Sequence, residues 1–293
     1  MKKTILAHLA VIGANVIYGL NYVIAKGIMP EFLQPRVIIL MRVVGASIIF
    51  WLVSSFFKQD KIDKKDFPRL MIAGLFGIAI NQIMFFEGLN LTTPINAAIL
   101  MVAVPILVLV LSHFLIGDRI SLQKIIGIAL GASGASYLIL YQGNISFTSS
   151  TFVGNIFVLI NAASYATFLV IVKPLMKKYN ALTVMKWVFL FGTIFVIPFS
   201  AHLAYEANFA AIPFDIWISI AYVIIFTTVL AYFLNNFSLK TVSPTVNSAY
   251  IYLQPFLASV VAILASKDEL TWTKIIAAVL IFLGVYFVSL KKA

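Results

Sequence analysis

Runs of about twenty apolar residues follow one another along almost the whole chain, separated by short polar gaps, and this leaves a narrow choice of folds. Backbone that meets lipid must satisfy its own hydrogen bonds, which helices and closed barrels do. The runs are continuously apolar and lack the alternation that a barrel with a polar lumen imposes. An all-α integral membrane protein is therefore expected, with ten transmembrane helices near 4–25, 35–57, 69–89, 94–116, 122–141, 152–172, 182–203, 214–236, 244–265 and 272–290. The balance of 62% hydrophobic and 11% charged residues, with a mean hydropathy of +1.04, excludes an ordinary water-soluble domain. The basic start, Met-Lys-Lys, leads into an apolar run that continues to about Ala25 without a small-residue cleavage site, so it reads as an uncleaved first span.

Short strings recur at a fixed separation. Lys124, Ile125 and Ile126 return as Lys274, Ile275 and Ile276, and Pro94, Pro105, Asp118 and Gly134 return 150 positions later as Pro244, Pro255, Asp268 and Gly284. Tyr18, Lys26 and Met29 match Tyr165, Lys173 and Met176 at a separation of 147. Such identity marks a duplication. The expected units are 4–141 and 152–290, joined through the Ser- and Thr-rich stretch 142–151. Five spans per unit place the second copy upside down, an arrangement of transporters.

The net charge of +11 does not gather into a nucleic-acid stripe; the basic residues lie in the gaps between spans. With a cytoplasmic amino terminus, fifteen of the 21 basic residues fall inside, including Lys58, Lys61, Lys64, Lys65 and Arg69, and four fall outside: Lys26, Arg36, Lys267 and Lys274. Arg42 and Lys186 lie within spans. The bias places both termini in the cytoplasm. Cysteine is absent, so there is no disulfide framework, no thiolate metal site and no cysteine nucleophile, and no metal or cofactor is expected.

Each half closes with a short acidic turn and a glycine-bearing helix, GDRISLQKIIGIALGASG in the first and KDELTWTKIIAAVLIFLG in the second, with a proline in the preceding span. With ten spans as five plus five, the chain resembles the drug/metabolite transporter superfamily, specifically its EamA-like group of bacterial inner-membrane carriers. It departs in having Asp118 and Asp268 where that group usually has Glu, and Ala277 where Gly127 has its glycine counterpart. The resemblance implies transport of a small molecule; the group includes exporters of amino acids, other metabolites and toxic compounds.

Polar side chains within spans are costly and mark candidate sites. Asn247, Tyr250 and Gln254 fall on one face of the ninth helix; Asn15 and Tyr18 share a face of the first, and Asn161 and Tyr165 lie on the sixth. Asn81, near mid-depth on the third, and Asn236 on the eighth add amides that both donate and accept, while Phe85 and Met101 supply an adaptable apolar wall. All are candidate cavity residues, with inter-helix hydrogen bonding as the plainer reading. Pro105 and Pro255 each free a carbonyl and are candidate kinks. Arg42 is a candidate contact for a substrate anion and Glu87 for proton coupling, against snorkelling or structural pairing. Gly127, Gly131 and Ala135 form a small-residue stripe for close packing.

Enzyme motifs such as HExxH, GxxxxGK and GxSxG are absent, and all six aspartates lie in loops or at span ends. A receptor or scaffold would need an extramembrane domain or long loops. The expected function is a secondary carrier exporting a small metabolite or amino acid by alternating access, with multidrug efflux as the alternative. Its expected partners are the lipid bilayer, a small-molecule substrate and protons as the candidate coupling ion; nothing in the sequence fixes an oligomeric state.

Overall fold

A computed structural model describes residues 2–142, 149–264 and 271–290. Among these, helices carry all the regular structure, and segments that join end to end share one label here. They are α1 (Lys2–Ile28), α2 (Pro35–Ser55), α3 (67–91), α4 (94–116), α5 (Leu122–Gln142), α6 (Ser149–Lys178), α7 (Ala181–Glu206), α8 (214–238), α9 (244–264) and α10 (Trp272–Ser289). Eight of them, all but α5 and α9, are long and apolar enough among the described residues to cross a membrane. The protein is a multi-pass membrane protein. Asp268, Lys267 and most of the expected 142–151 joint lie outside the described residues.

Hydropathy trims the helices to their apolar middles. α6 runs to Lys178 through Pro174, and α7 runs to Glu206 through Pro198, several residues beyond the expected bounds. At the interfaces polar side chains reach water, so a helix continues after its apolar run has ended.

Four columns depart from regular α geometry in a matched way. α3 widens to a π-helical stretch at Leu75–Ile80, and α8 does so at Val223–Leu230. α4 breaks at 102–103, where the amides of Val102 and Ala103 reach back only three residues, and α9 tightens into a 3-10 turn at Tyr250–Tyr252. Both tight turns lie just before a proline, Pro105 or Pro255, whose missing amide leaves a carbonyl unpaired one turn earlier. The Tyr252 hydroxyl donates to the Val102 carbonyl across this gap at 3.3 Å.

The strongest packing pairs α5 with α10, α2 with α7, α3 with α6 and α1 with α8. Between α5 and α10 the backbones touch: a Cβ on Gly284 would lie 2.5 Å from the Gly131 nitrogen and 2.7 Å from the Gly127 carbonyl oxygen. Two lysines fasten helix ends. Lys26 of α1 donates to the carbonyls of Leu89, Asn90 and Thr92 at 2.8, 2.9 and 3.4 Å, closing the end of α3. Lys173 of α6 donates to those of Leu239 and Val242, after α8. The next helix after each begins on a hydroxyl cap, Thr93 or Ser243.

At one end of the bundle the 56–66 loop is tied to the α6–α7 turn, with Lys178 bridging Asp63 and Asp66 and the Tyr179 hydroxyl donating to Asp66 at 2.6 Å. The Lys178 ammonium holds the Asp63 carboxyl below the usual carboxylate range.

Charge-assisted bonds to otherwise unpaired helix-end carbonyls contribute roughly 1.5–3 kcal/mol. Lys26→Met is accordingly expected to lower the thermal unfolding midpoint by several degrees, and Lys173→Met to do the same. Thermal unfolding in detergent with tryptophan emission checks this; an unchanged midpoint in both variants would make the two lysines surface ornaments.

Candidate functional site

A cavity lies where α1, α2, α3, α4, α6, α8 and α9 converge. It is lined by Tyr18, Asn21, Tyr22, Arg42, Asn81, Gln82, Phe85, Phe86, Met101, Asn161, Tyr165, Thr227, Tyr232, Ile251 and Gln254. Water centres can occupy about 80 Å³ of it. That is room for a few waters or one small polar solute.

The widened turn in α3 builds one wall. A π-helical turn misaligns the i to i+4 ladder, and its carbonyls need other donors. Ser164 of α6 donates to the Phe76 carbonyl at 2.6 Å, Tyr232 of α8 to the Gly77 carbonyl at 3.1 Å, and the Asn161 amide to the Asn81 carbonyl at 2.8 Å. The Tyr232 proton is shared with the Asn81 side-chain oxygen at 3.0 Å. Tyr232 also packs against Tyr18, Phe168 and Phe189, with ring centroids 5.3–6.4 Å apart. It is a hub joining α1, α3, α6, α7 and α8.

Arg42 on α2 is 3% exposed. Its Nε donates to the Thr228 hydroxyl at 2.8 Å, and its guanidinium carbon sits 4.5 Å from the Phe86 ring centre. A desolvated cation over an aromatic face gains about 2 kcal/mol. No carboxylate pairs with it among the described residues.

Several polar atoms of the lining residues are buried and find no partner within the protein: the Tyr18 hydroxyl, the Asn21 and Asn161 side-chain oxygens, the Thr227 hydroxyl and both amide atoms of Gln82. Gln82 lies against Tyr232 without meeting hydrogen-bond geometry. Buried polar groups without partners cost about 1–3 kcal/mol each, so their concentration around one cavity is what a polar ligand site requires.

The expected site residues divide between the cavity and the packing around it. Tyr18, Asn81, Phe85, Met101, Asn161, Tyr165, Gln254 and Arg42 line the cavity. Asn15 stands behind it, accepting from the Gln254 amide at 2.8 Å. Asn236 turns back to the Tyr232 carbonyl of its own helix, Asn247 bonds the Asn235 carbonyl and the Ser238 hydroxyl, and Tyr250 meets His8 at 2.6 Å. Of the three residues read as one face of α9, Gln254 alone lines the cavity, while Asn247 and Tyr250 hydrogen-bond to α8 and α1. Glu87 is paired with Arg36 at 2.6 Å near a helix end. Asn21, Phe86, Thr227, Tyr232 and Ile251 were not anticipated. Asn21 was visible in principle, three residues after Tyr18; Thr227 and Tyr232 are five apart, a spacing that shares a face only across a widened turn.

A bundle of membrane-crossing helices around a ligand-sized cavity, lined by apolar and polar side chains together, is an architecture that membrane transporters use. The EamA-like transporter family model matches residues 5–140 and again 152–290, and the chain belongs to that family. It is similar to an uncharacterized transporter, YetK, of Bacillus subtilis, 25% identical over 100% of this chain and 89% of that one. It is also similar to a probable terminal-alkyne amino-acid exporter of Streptantibioticus cattleyicolor, 26% identical over 68% of this chain and 65% of the other. One crystal structure covers 98% of this chain and 96% of its own with a TM-score of 0.77 at 16% identity, a likeness of fold.

Proposed function

We propose that the protein is a secondary carrier that exports a small metabolite or amino acid across the inner membrane by alternating access, with both termini cytoplasmic. It is built as ten crossings in two inverted repeats, 4–141 and 152–290. The observation that carries this reading is the cavity between seven helices, several of whose lining residues carry buried polar atoms without a partner. Support for the repeats comes from matched details 150 positions apart: widened turns in α3 and α8, tightened turns before Pro105 and Pro255, and hydroxyl caps at Thr93 and Ser243. The lysine latches add to this, since Leu89 and Thr92 correspond to Leu239 and Val242. Helix pairing has the same symmetry, because exchanging the halves turns the α3–α6 pair into α8–α1 and leaves α2–α7 and α5–α10 unchanged. Matched breaks in two such halves are places where each half can bend against the other.

The test is counterflow in proteoliposomes loaded with pooled small metabolites. Accumulation of a labelled tracer, abolished by excess unlabelled compound, is the expected result; a folded protein that exchanges no tracer removes the carrier reading. Orientation is checked separately, since the chain has no cysteine. Lys64→Cys is expected to react only from the cytoplasmic side and Asn208→Cys only from the other, and the reverse pattern would invert the topology.

A further inference from the structure

We propose that Arg42 makes the cavity selective for small carboxylates that carry a hydrogen-bond donor beside the acid, and that it excludes organic cations. This deepens the carrier reading and rests on it.

Among the described residues that line the cavity, Arg42 carries the formal charge and no acidic side chain joins it. Its Nε is committed to Thr228, which leaves the two terminal nitrogens as a planar fork matched to a carboxylate. A guanidinium 3% exposed, held by a hydroxyl and an aromatic face alone, is a costly feature of a membrane interior. A ligand carboxylate would neutralise it. The unpartnered acceptors define the rest of the ligand. Asn21, Asn161 and Gln82 line the same cavity, and their side-chain oxygens, buried without a partner, call for a donor, an ammonium or a hydroxyl. A phosphate monoester fits less well, because its charge of about −1.5 to −2 would need a second cation in the lining. An organic cation would meet Arg42 with no carboxylate nearby to offset it.

The experiment compares tracer classes in proteoliposomes of the full-length protein: amino and hydroxy acids, the neutral amides of the same acids, phosphate monoesters, and quaternary and primary amines. Exchange of the acids, with their amides at least a hundredfold weaker, is expected. Gln82→Glu is nearly isosteric and removes no hydrogen bond, yet brings a carboxylate into the cavity; it should lower acid exchange at least tenfold in protein that remains folded and monodisperse. Arg42→Gln should abolish acid exchange, and Arg42→Lys should retain part of it. Should Arg42→Gln fail to fold, the tracer comparison and Gln82→Glu decide alone. Exchange carried by amides, phosphates or amines, or acid exchange untouched in Gln82→Glu, would overturn the proposal and leave the carrier standing. A folded protein that exchanges no class at all would remove the carrier reading and this selectivity with it.

Discussion

Gly284→Leu is expected to leave almost no folded protein, with the purified material aggregated in size-exclusion chromatography. The reason is backbone contact. A Cβ at 284 would meet the Gly131 nitrogen at 2.5 Å and the Gly127 oxygen at 2.7 Å, and neither belongs to a side chain that can turn away. α10 would have to move off α5 along their whole shared face, one of the most extensive helix pairings among the described residues. In a membrane there is little hydrophobic force to restore the pair, because association rests on close packing of small residues. Overpacking typically costs 1–3 kcal/mol, occasionally more, and a backbone clash belongs at about the upper end. Gly284→Ala tests the same contact with one methyl and should lower the unfolding midpoint while preserving a monodisperse peak. A leucine variant as stable as the parent would show that the two helices are not in this register.

Tyr232→Ala is the second large effect. Its ring packs on Tyr18, Phe168 and Phe189, and its hydroxyl bridges the Gly77 carbonyl and Asn81. Removing a buried aromatic side chain costs about 3–5 kcal/mol, and the space left would open into the central cavity. Expression, unfolding midpoint and transport should all fall. Tyr232→Phe separates the two contributions. It keeps the ring and removes the hydroxyl, so a loss of about 1 kcal/mol is expected in stability, together with weaker substrate apparent affinity because Asn81 is no longer held. If phenylalanine transported with unchanged apparent affinity, Tyr232 would be a packing residue alone.

The helical character of the fold was plain from the length of the apolar runs, since lipid leaves the backbone few alternatives. Part of the cavity was legible for a similar reason. Tyr18, Asn81 and Asn161 lie on stretches of regular helix, or beside carbonyls whose donors they supply, and intramembrane polarity singles them out. Asn247 and Tyr250 show where that logic stops: sharing a helix with Gln254 does not bring them to the cavity, because their partners lie on α8 and α1. Thr227 and Tyr232 were hidden by a widened turn that brings residues five apart to one side. Polarity alone also could not distinguish Asn15, whose amide and oxygen both bond neighbouring atoms, from Asn21, whose oxygen has no protein partner. That distinction depends on which helices meet.

The unpaired guanidinium of Arg42 has an electrical consequence. Moving one elementary charge through 100 mV changes its energy by about 2.3 kcal/mol. A carrier of the proposed kind, when empty, shifts this positive charge through part of the membrane field as its cavity opens from one side to the other. A zwitterionic amino acid leaves the site's positive charge in place, whereas with a hydroxy acid bound the pair is neutral and the field has no net charge to act on. Voltage then governs the return of the unloaded protein, and an interior-negative potential favours the empty cavity facing the cytoplasm, where a solute destined for export is collected.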